Sequence, residues 1–315
     1  MVNGASSRRE FLRDMAVTAG LAAAGPALGA AARAASGRLH VACNQYPWGT
    51  FYSRQKKDFN ALLDSGLAEV KASGNDGFEP GVGGLQQIEQ MTPLLKKHGL
   101  EMRSLYVNST LHEAGQADKS IEEVLAAAAK AKAFGTRIIV TNPSPIRWGG
   151  PENKTDEQLK VQAAALDKLG ARLKQMGLTL AYHNHDLELR NAAREFHHML
   201  VGTDPANVTL CLDAHWIYRG AGNSQVALFD VLKLYGPRIT ELHLRQSQNN
   251  IWTEAFGPGD IDYPRLAEDL LKMGVKPLLV LEQAVEAGSP NTMNAVDAFK
   301  KSTQYTRQFF AGFAG

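Results

Sequence analysis

Cysteine is scarce: Cys43 and Cys211 are the only two in 315 residues, which excludes a disulfide framework and a cysteine-based zinc site. Excess charge of either sign is also lacking, with 34 Lys and Arg against 32 Asp and Glu. The small positive surplus lies in residues 1–34, where Arg8, Arg9, Arg13 and Arg33 outnumber Glu10 and Asp14, so the remaining chain is neutral. A neutral body without a basic stripe offers no footprint for nucleic acid or for an anionic membrane surface. No Gly-x-Gly-x-x-Gly follows the first apolar run, which removes the main signal of an open dinucleotide-binding sheet. What is present is ample: 44% hydrophobic residues exclude general disorder and supply a large core. Domains usually hold ~100–200 residues, but barrels run to about 250 as one unit.

The longest stretch without charge near the N-terminus is Met15 to Ala32, rich in Ala and Gly. It follows Ser7-Arg8-Arg9-Glu10-Phe11-Leu12-Arg13 and leads to small-residue cleavage sites such as Ala32-Arg33-Ala34. A basic head, a weakly apolar middle and a small-residue end make an export signal. The arginine pair followed by Phe-Leu resembles a twin-arginine signal, which implies transport of an already folded protein to the periplasm or beyond. The run approaches the length of a bilayer span, but its Ala/Gly/Pro composition is too weakly hydrophobic for stable insertion. We therefore expect a signal over residues 1–34 and one catalytic domain over residues 35–315.

From Leu39 onward, a short apolar run ending in polar residues, a helical stretch and a glycine recur. The glycines are Gly74, Gly99, Gly135, Gly177, Gly236 and Gly274, each suited to a helix C-terminus because it enters the left-handed region without steric cost. Between them the pattern predicts eight strands: Leu39–Tyr46, Asp76–Glu79, Glu101–Val107, Arg137–Thr141, Thr179–His183, Val208–Asp213, Ile239–His243 and Pro277–Glu282. Helices are clearest over Ile121–Phe134 and Asp156–Met176. The first puts Ile121, Val124, Leu125 and Ala128 on one face, with Ser120 as its N-cap. Alternating strands and helices imply a parallel sheet, and eight units in this length imply a single closed (β/α)8 barrel. Trp148–Asn153 and Gln246–Asp260 read as long loops after the fourth and seventh strands.

In such a barrel the carboxyl ends of the strands converge on one mouth. Here those ends carry Glu79, Asn108 and Asn142, then His183-Asn184-His185-Asp186-Leu187-Glu188, Asp213-Ala214-His215-Trp216, His243-Leu244-Arg245 and Glu282-Gln283. One polar residue at a strand end is usually a hydrogen-bonded structural group. Four successive strands ending in His, Asp, His and Glu instead suit a divalent cation with mixed nitrogen and oxygen ligands. Tyr46, Trp48, Tyr106, Trp148, Trp216 and Trp252 lie near the same ends, where aromatic rings stack on sugars as readily as they fill a core.

Tyr182-His183-Asn184-His185-Asp186-Leu187-Glu188, Leu212-Asp213-Ala214-His215-Trp216, Glu241-Leu242-His243-Leu244-Arg245 and Leu281-Glu282-Gln283 resemble the xylose-isomerase-like sugar phosphate isomerase/epimerase family. Asp76-Gly77-Phe78-Glu79 and Phe256–Tyr263 extend the resemblance over nearly the whole body. It implies a Mn, Mg, Co or Zn ion held at four strand ends by Glu, Asp, His and Glu, with Asp213, His243 and Glu282 in the last three places. The first place departs from the pattern, since His183 stands where many epimerases have Glu. We take His183 as the fourth metal ligand and His185 as a substrate contact or acid/base; the swapped assignment stays open, because residues two apart on a strand point the same way. Glu188 is the candidate partner for a histidine's second nitrogen.

The implied chemistry is enolisation. A divalent ion acidifies the C–H beside a carbonyl, and Glu282 or His185 removes the proton. Glu79, Asn108, Trp216 and Arg245 are the expected substrate contacts. The leading reading is a sugar isomerase or epimerase acting on a sugar or keto-sugar. A lyase or dehydratase eliminating a group from a keto-sugar or inosose is the alternative. A non-catalytic metal- or sugar-binding exported protein is the least favoured. Export argues against a phosphorylated substrate, and a homo-oligomer is compatible with each reading.

Overall fold

Each apolar run of the repeat forms one stave of a parallel barrel in the computed structural model, which describes residues 38–314. The staves are β1 (Val41–Asn44), β2 (Gly77–Glu79) with β3 (Gly81–Val82), β4 (Ser104–Val107), β5 (Ile138–Thr141), β6 (Thr179–His183), β7 (Val208–Asp213) and β8 (Ile239–Leu244). After a small hairpin of β9 (Ser247–Gln248) and β10 (Ile251–Trp252), β11 (Leu278–Leu281) supplies the last. They pair in the order β2-β1-β11-β8-β7-β6-β5-β4-β3. β2 and β3 are one stave broken at Pro80: β2 pairs with β1, β3 pairs with β4, and the Tyr106 N–H donates to the Pro80 carbonyl (3.0 Å), which closes the ring. Proline has no N–H to give the ladder, so the pairing breaks there.

Ten helices among the described residues follow the staves: α1 (Gln45–Arg54), α2 (Leu63–Ala72), α3 (Leu85–His98), α4 (Ala114–Lys132), α5 (Asp156–Gln175), α6 (Arg190–Val201), α7 (Ala214–Gly220), α8 (Gln225–Tyr235), α9 (Tyr263–Lys272) and α10 (Ala295–Phe309). Their apolar faces join the outward sides of the staves in one continuous core. A small separate cluster of Val140, Ala181 and Cys211 packs inside, below the mouth. Staves covered on both sides read as unbroken apolar runs, which is why β6 and β7 begin and end where the sequence places them.

Other boundaries differ. The first strand is shorter than expected because Gln45 and Tyr46 already belong to α1, whose start Asn44 caps by accepting from the Tyr46 N–H (2.8 Å). α4 begins at Ala114, not Ile121, so Ser120 is a buried residue inside the helix and not its N-cap. Its Oγ accepts from the Thr110 N–H (2.9 Å). α5 starts as expected, on a Thr155–Gln158 capping box. Gly74, Gly99, Gly135, Gly177 and Gly274 are left-handed, but Gly236 is not: with φ −46° it opens a short 3₁₀ turn over Gly236–Arg238. Cys43 and Cys211 are buried and free, on staves that are not neighbours. The expected export signal lies outside the described residues. Among those residues no helix is long and apolar enough to cross a membrane.

Candidate metal centre

His183 ends β6, Asp213 ends β7, His243 is the penultimate residue of β8, and Glu282 follows β11. One ligand atom from each lies within 4.8 Å of all the others. None of the four side chains is exposed.

The backbone aims each group. The Asp213 Oδ1 accepts from the Trp216 N–H (2.8 Å) as N-cap of α7, and this leaves Oδ2 free. Asn184 braces the Asp213 main chain with two hydrogen bonds, each 3.1 Å. Asn142 donates to the His183 carbonyl (3.0 Å). The His183 Nδ1 lies 3.6 Å from the Cys211 Sγ, so Nε2 is the free nitrogen. His243 meets the Glu282 Oε2 through Nδ1, while its Nε2 lies 3.1 Å from both Glu79 Oε1 and Glu241 Oε1.

Arg245 is fully buried beside the cluster. Its Nε donates to the Glu282 carbonyl (2.9 Å), and Nη2 lies 2.9 Å from Glu282 Oε1 and 3.6 Å from Asp213 Oδ2. The guanidinium is flanked by the rings of Trp252 and Trp216, at 4.4 and 4.8 Å.

Electrostatics sort the donors. Burial, reinforced by His243, His185 and Arg245, holds His183 well below the usual imidazole range, so it is neutral and able to coordinate. Burial likewise lowers His185 to about 4. Burial raises Asp213 to about 6 against the pull of Arg245. For Glu282 burial also favours the neutral acid, but His243 and Arg245 outweigh it and lower its pKa. Burial opposes charge on His243, and the acidic groups around it, Cys211, Glu282 and Glu79, overcome that and raise it well above 6.5. His183 Nε2 and Asp213 Oδ2 are completely buried without a hydrogen-bond partner. Buried polar atoms are normally paired, so two unpartnered donor atoms facing one cluster fit a group that could bind a cation. Two imidazoles and two carboxylates fit Mn, Mg, Co or Zn.

Beside the cluster opens a cavity of about 660 Å³ whose walls include Asn108, His185, Trp216, Arg245 and Glu282. Of the expected substrate contacts, Asn108, Trp216 and Arg245 are therefore at the cavity. Glu79 is not. It is fully buried beneath His243, where the Asn44 Nδ2 donates to its Oε1 (2.7 Å). Of the two strand-six histidines, His183 joins the four-residue cluster and His185 lines the cavity, edge-on to His183 at 4.8 Å between centroids.

Glu188 does not bond an imidazole. It accepts from the His185 backbone N–H (2.7 Å) and the Asn142 amide (3.1 Å), and burial pushes its carboxyl up to about 7. Tyr46, Tyr106, Trp148 and Trp216 line the cavity. Trp48 is core instead, stacked on Phe299 at 4.9 Å, and buried Trp252 serves Arg245. Glu241 was not singled out by sequence, although it sits two residues before His243 on one stave and so faces the same side.

These features define a (β/α)8 barrel with a candidate divalent-metal centre at the carboxyl ends of four staves. Residues 67–309 match the family described as xylose isomerase-like TIM barrel, and the chain belongs to that family. It is 24% identical over 278 residues to an inosose dehydratase of Mesomycoplasma hyopneumoniae (strain 7448), covering 79% of this chain and 89% of that protein. A xylose isomerase-like TIM barrel protein from Mycobacterium smegmatis, solved in complex with magnesium, superposes with a TM-score of 0.66 at 14% identity, over 88% of this chain and 98% of that one. The 3-keto-D-glucoside 4-epimerase from E. coli gives a TM-score of 0.63 at 15% identity, over 86% and 99% of the two chains. Likeness at such identity establishes the fold.

Proposed function

We propose that the protein is a divalent-metal-dependent enzyme that removes the proton beside a carbonyl of a sugar or keto-sugar and acts through an enediolate. The observation that carries this reading is the buried cluster of His183, Asp213, His243 and Glu282 opening onto a cavity of sugar size. A bound ion would hold two vicinal oxygens and polarise the carbonyl, acidifying the neighbouring C–H. Glu282, kept anionic by His243 and Arg245, is the base. Neutral His185 lines the same cavity as the second group able to hold a proton. Arg245 faces the substrate oxygens, Asn108 hydrogen-bonds a hydroxyl, and Trp216 covers an apolar sugar face.

Isomerisation or epimerisation is the first reading, supported by the fold shared with the epimerase above. Elimination is the second, and a specific observation favours it. The strand-six ligand is the imidazole of His183, so a proton exchange between two opposed ligand carboxylates lacks one member. The inosose dehydratase relative supports the same reading.

Incubating the metal-loaded protein with keto-sugars and inososes in heavy water separates the two. Deuterium uptake without loss of a group supports isomerisation, and an unsaturated product supports elimination. Metal binding with neither reaction across the panel would leave a non-catalytic binding protein. We further propose export by the twin-arginine route, supported by Arg8-Arg9-Glu10-Phe11-Leu12. Replacing both arginines by lysine should hold the precursor in the cytoplasm, and unchanged export would refute this.

A further inference from the structure

Below the four-residue cluster lies a second group of acids that the proposed reaction does not use. Glu79 and Glu241 are completely buried, on β2 and β8. Each places Oε1 3.1 Å from the same atom, Nε2 of His243. The other oxygen of each carboxyl has no hydrogen-bond partner. The opposite nitrogen of the ring, Nδ1, faces Glu282 and the cluster. An imidazole can present a lone pair to a metal through one nitrogen only if the proton sits on the other, and the partner of that other nitrogen fixes which is which.

We infer that Glu241, together with Glu79, is a positioning pair for His243: it receives the Nε2–H from below and leaves Nδ1 as the donor to the metal. The inference rests on the proposed metal centre and concerns how one of its ligands is held. Glu241 accepts from the ring nitrogen and Glu79 sets a second carboxylate 3.1 Å from it, so a flipped ring would move the Nε2–H away from its acceptor and from the adjoining negative charge. Asn44 in turn fixes Glu79 through its 2.7 Å bond, so the orientation is passed from the end of β1 to the ligand on β8. The geometry also accounts for a glutamate two residues before a ligand on the inward side of a stave, where packing alone would favour an apolar side chain.

The test compares wild type, Glu241→Gln, Glu241→Leu and His243→Ala. Metal affinity is measured by competition between the purified protein and a chelator for Zn²⁺. Loss of a hydrogen-bond partner behind a ligand typically weakens binding by about 10–100-fold, so Glu241→Leu should fall in that range and Glu241→Gln, which keeps an acceptor oxygen, should be largely rescued. The visible spectrum of the Co²⁺-loaded protein should shift for Glu241→Leu, a change that a purely structural role would not produce.

A second measurement needs no Glu241 variant. In Zn²⁺-loaded wild type labelled with ¹⁵N-histidine, the His243 signal should show a proton on Nε2. A proton on Nδ1, or Glu241→Leu binding Zn²⁺ as tightly as wild type while His243→Ala loses it, would overturn the inference and leave the metal centre standing. Full Zn²⁺ binding by His243→Ala would overturn both.

Discussion

Arg245→Met should make the metal-free protein less stable and yet let it bind metal more tightly. In the structure the buried guanidinium lies 2.9 Å from Glu282 and 3.6 Å from Asp213. Removing one member of a buried ion pair leaves uncompensated charge and costs about 3–5 kcal/mol. Methionine retains part of the stem packed between Trp216 and Trp252 but loses the cation–π contact, worth about 2 kcal/mol when desolvated. A divalent ion bound to the same carboxylates supplies the missing charge, so in the saturated protein only that smaller cost remains. The cation–π loss is common to both states, so the difference of about 3–5 kcal/mol must appear as tighter metal binding by the variant, roughly 150- to 5,000-fold. Urea unfolding with and without saturating Mn²⁺ measures both costs, and chelator competition measures the affinity. Turnover should fall in either case, since Arg245 lines the cavity. Equal destabilisation in the two states, or weaker metal binding by Arg245→Met, would refute the view that Arg245 and the metal share these carboxylates.

Asp213→Asn should lose metal and turnover together while the circular dichroism of the metal-free protein is unchanged, because Asn still caps the following helix and Glu282 remains paired with Arg245. Metal content should also fall as the pH is lowered, since protonated imidazoles do not coordinate; titrating bound metal against pH checks this. Glu188 has its pKa raised from 4.5 to about 7 in the fold, so its contribution to stability is full below pH 4.5 and is lost as pH rises through 7. Glu188→Gln should remove a decline of about 3 kcal/mol between those limits, read as the difference in unfolding free energy from wild type at pH 4.5 and pH 7.5. Gly259→Ala should cost about 1–3 kcal/mol, because the added methyl meets the Ser247 carbonyl and the Gln246 side chain; a thermal midpoint within 1 °C of wild type would contradict it.

The barrel was legible because buried parallel strands write continuous apolar runs into the sequence, and Thr179–His183 and Val208–Asp213 are such runs. The start of α4 was not, since Ala114-Gly115-Gln116-Ala117 carries no apolar period, and the helix there is set by packing of Ala117 and Ser120. The cluster of His183, Asp213, His243 and Glu282 could be anticipated because strand ends are fixed points of this architecture. Depth along a stave was harder. Glu79 ends its short strand yet lies under His243, because β2 stops at Pro80 and the stave continues as β3. Glu188 lies beyond β6, where strand alternation no longer applies, and it grips the His185 backbone instead of a ring.

Cys211 precedes Asp213 by two residues on β7 and so faces the same way, one level deeper. Donor atoms of His183, Cys211 and His243 lie within 4.8 Å of one another, just as those of the four-residue cluster do. The same two imidazoles therefore belong to two coordination sets, one completed by hard oxygens and one by a soft sulfur. Oxygen-preferring ions such as Mg²⁺ and Mn²⁺ would be confined to the upper set, whereas a thiophilic ion would be drawn toward the lower. Burial holds the thiol proton firmly, and that proton opposes filling of the lower set. An ion seated there would leave Asp213 and Glu282 uncomplexed, so the depth at which an ion sits in the barrel follows from the hardness of the donors it prefers.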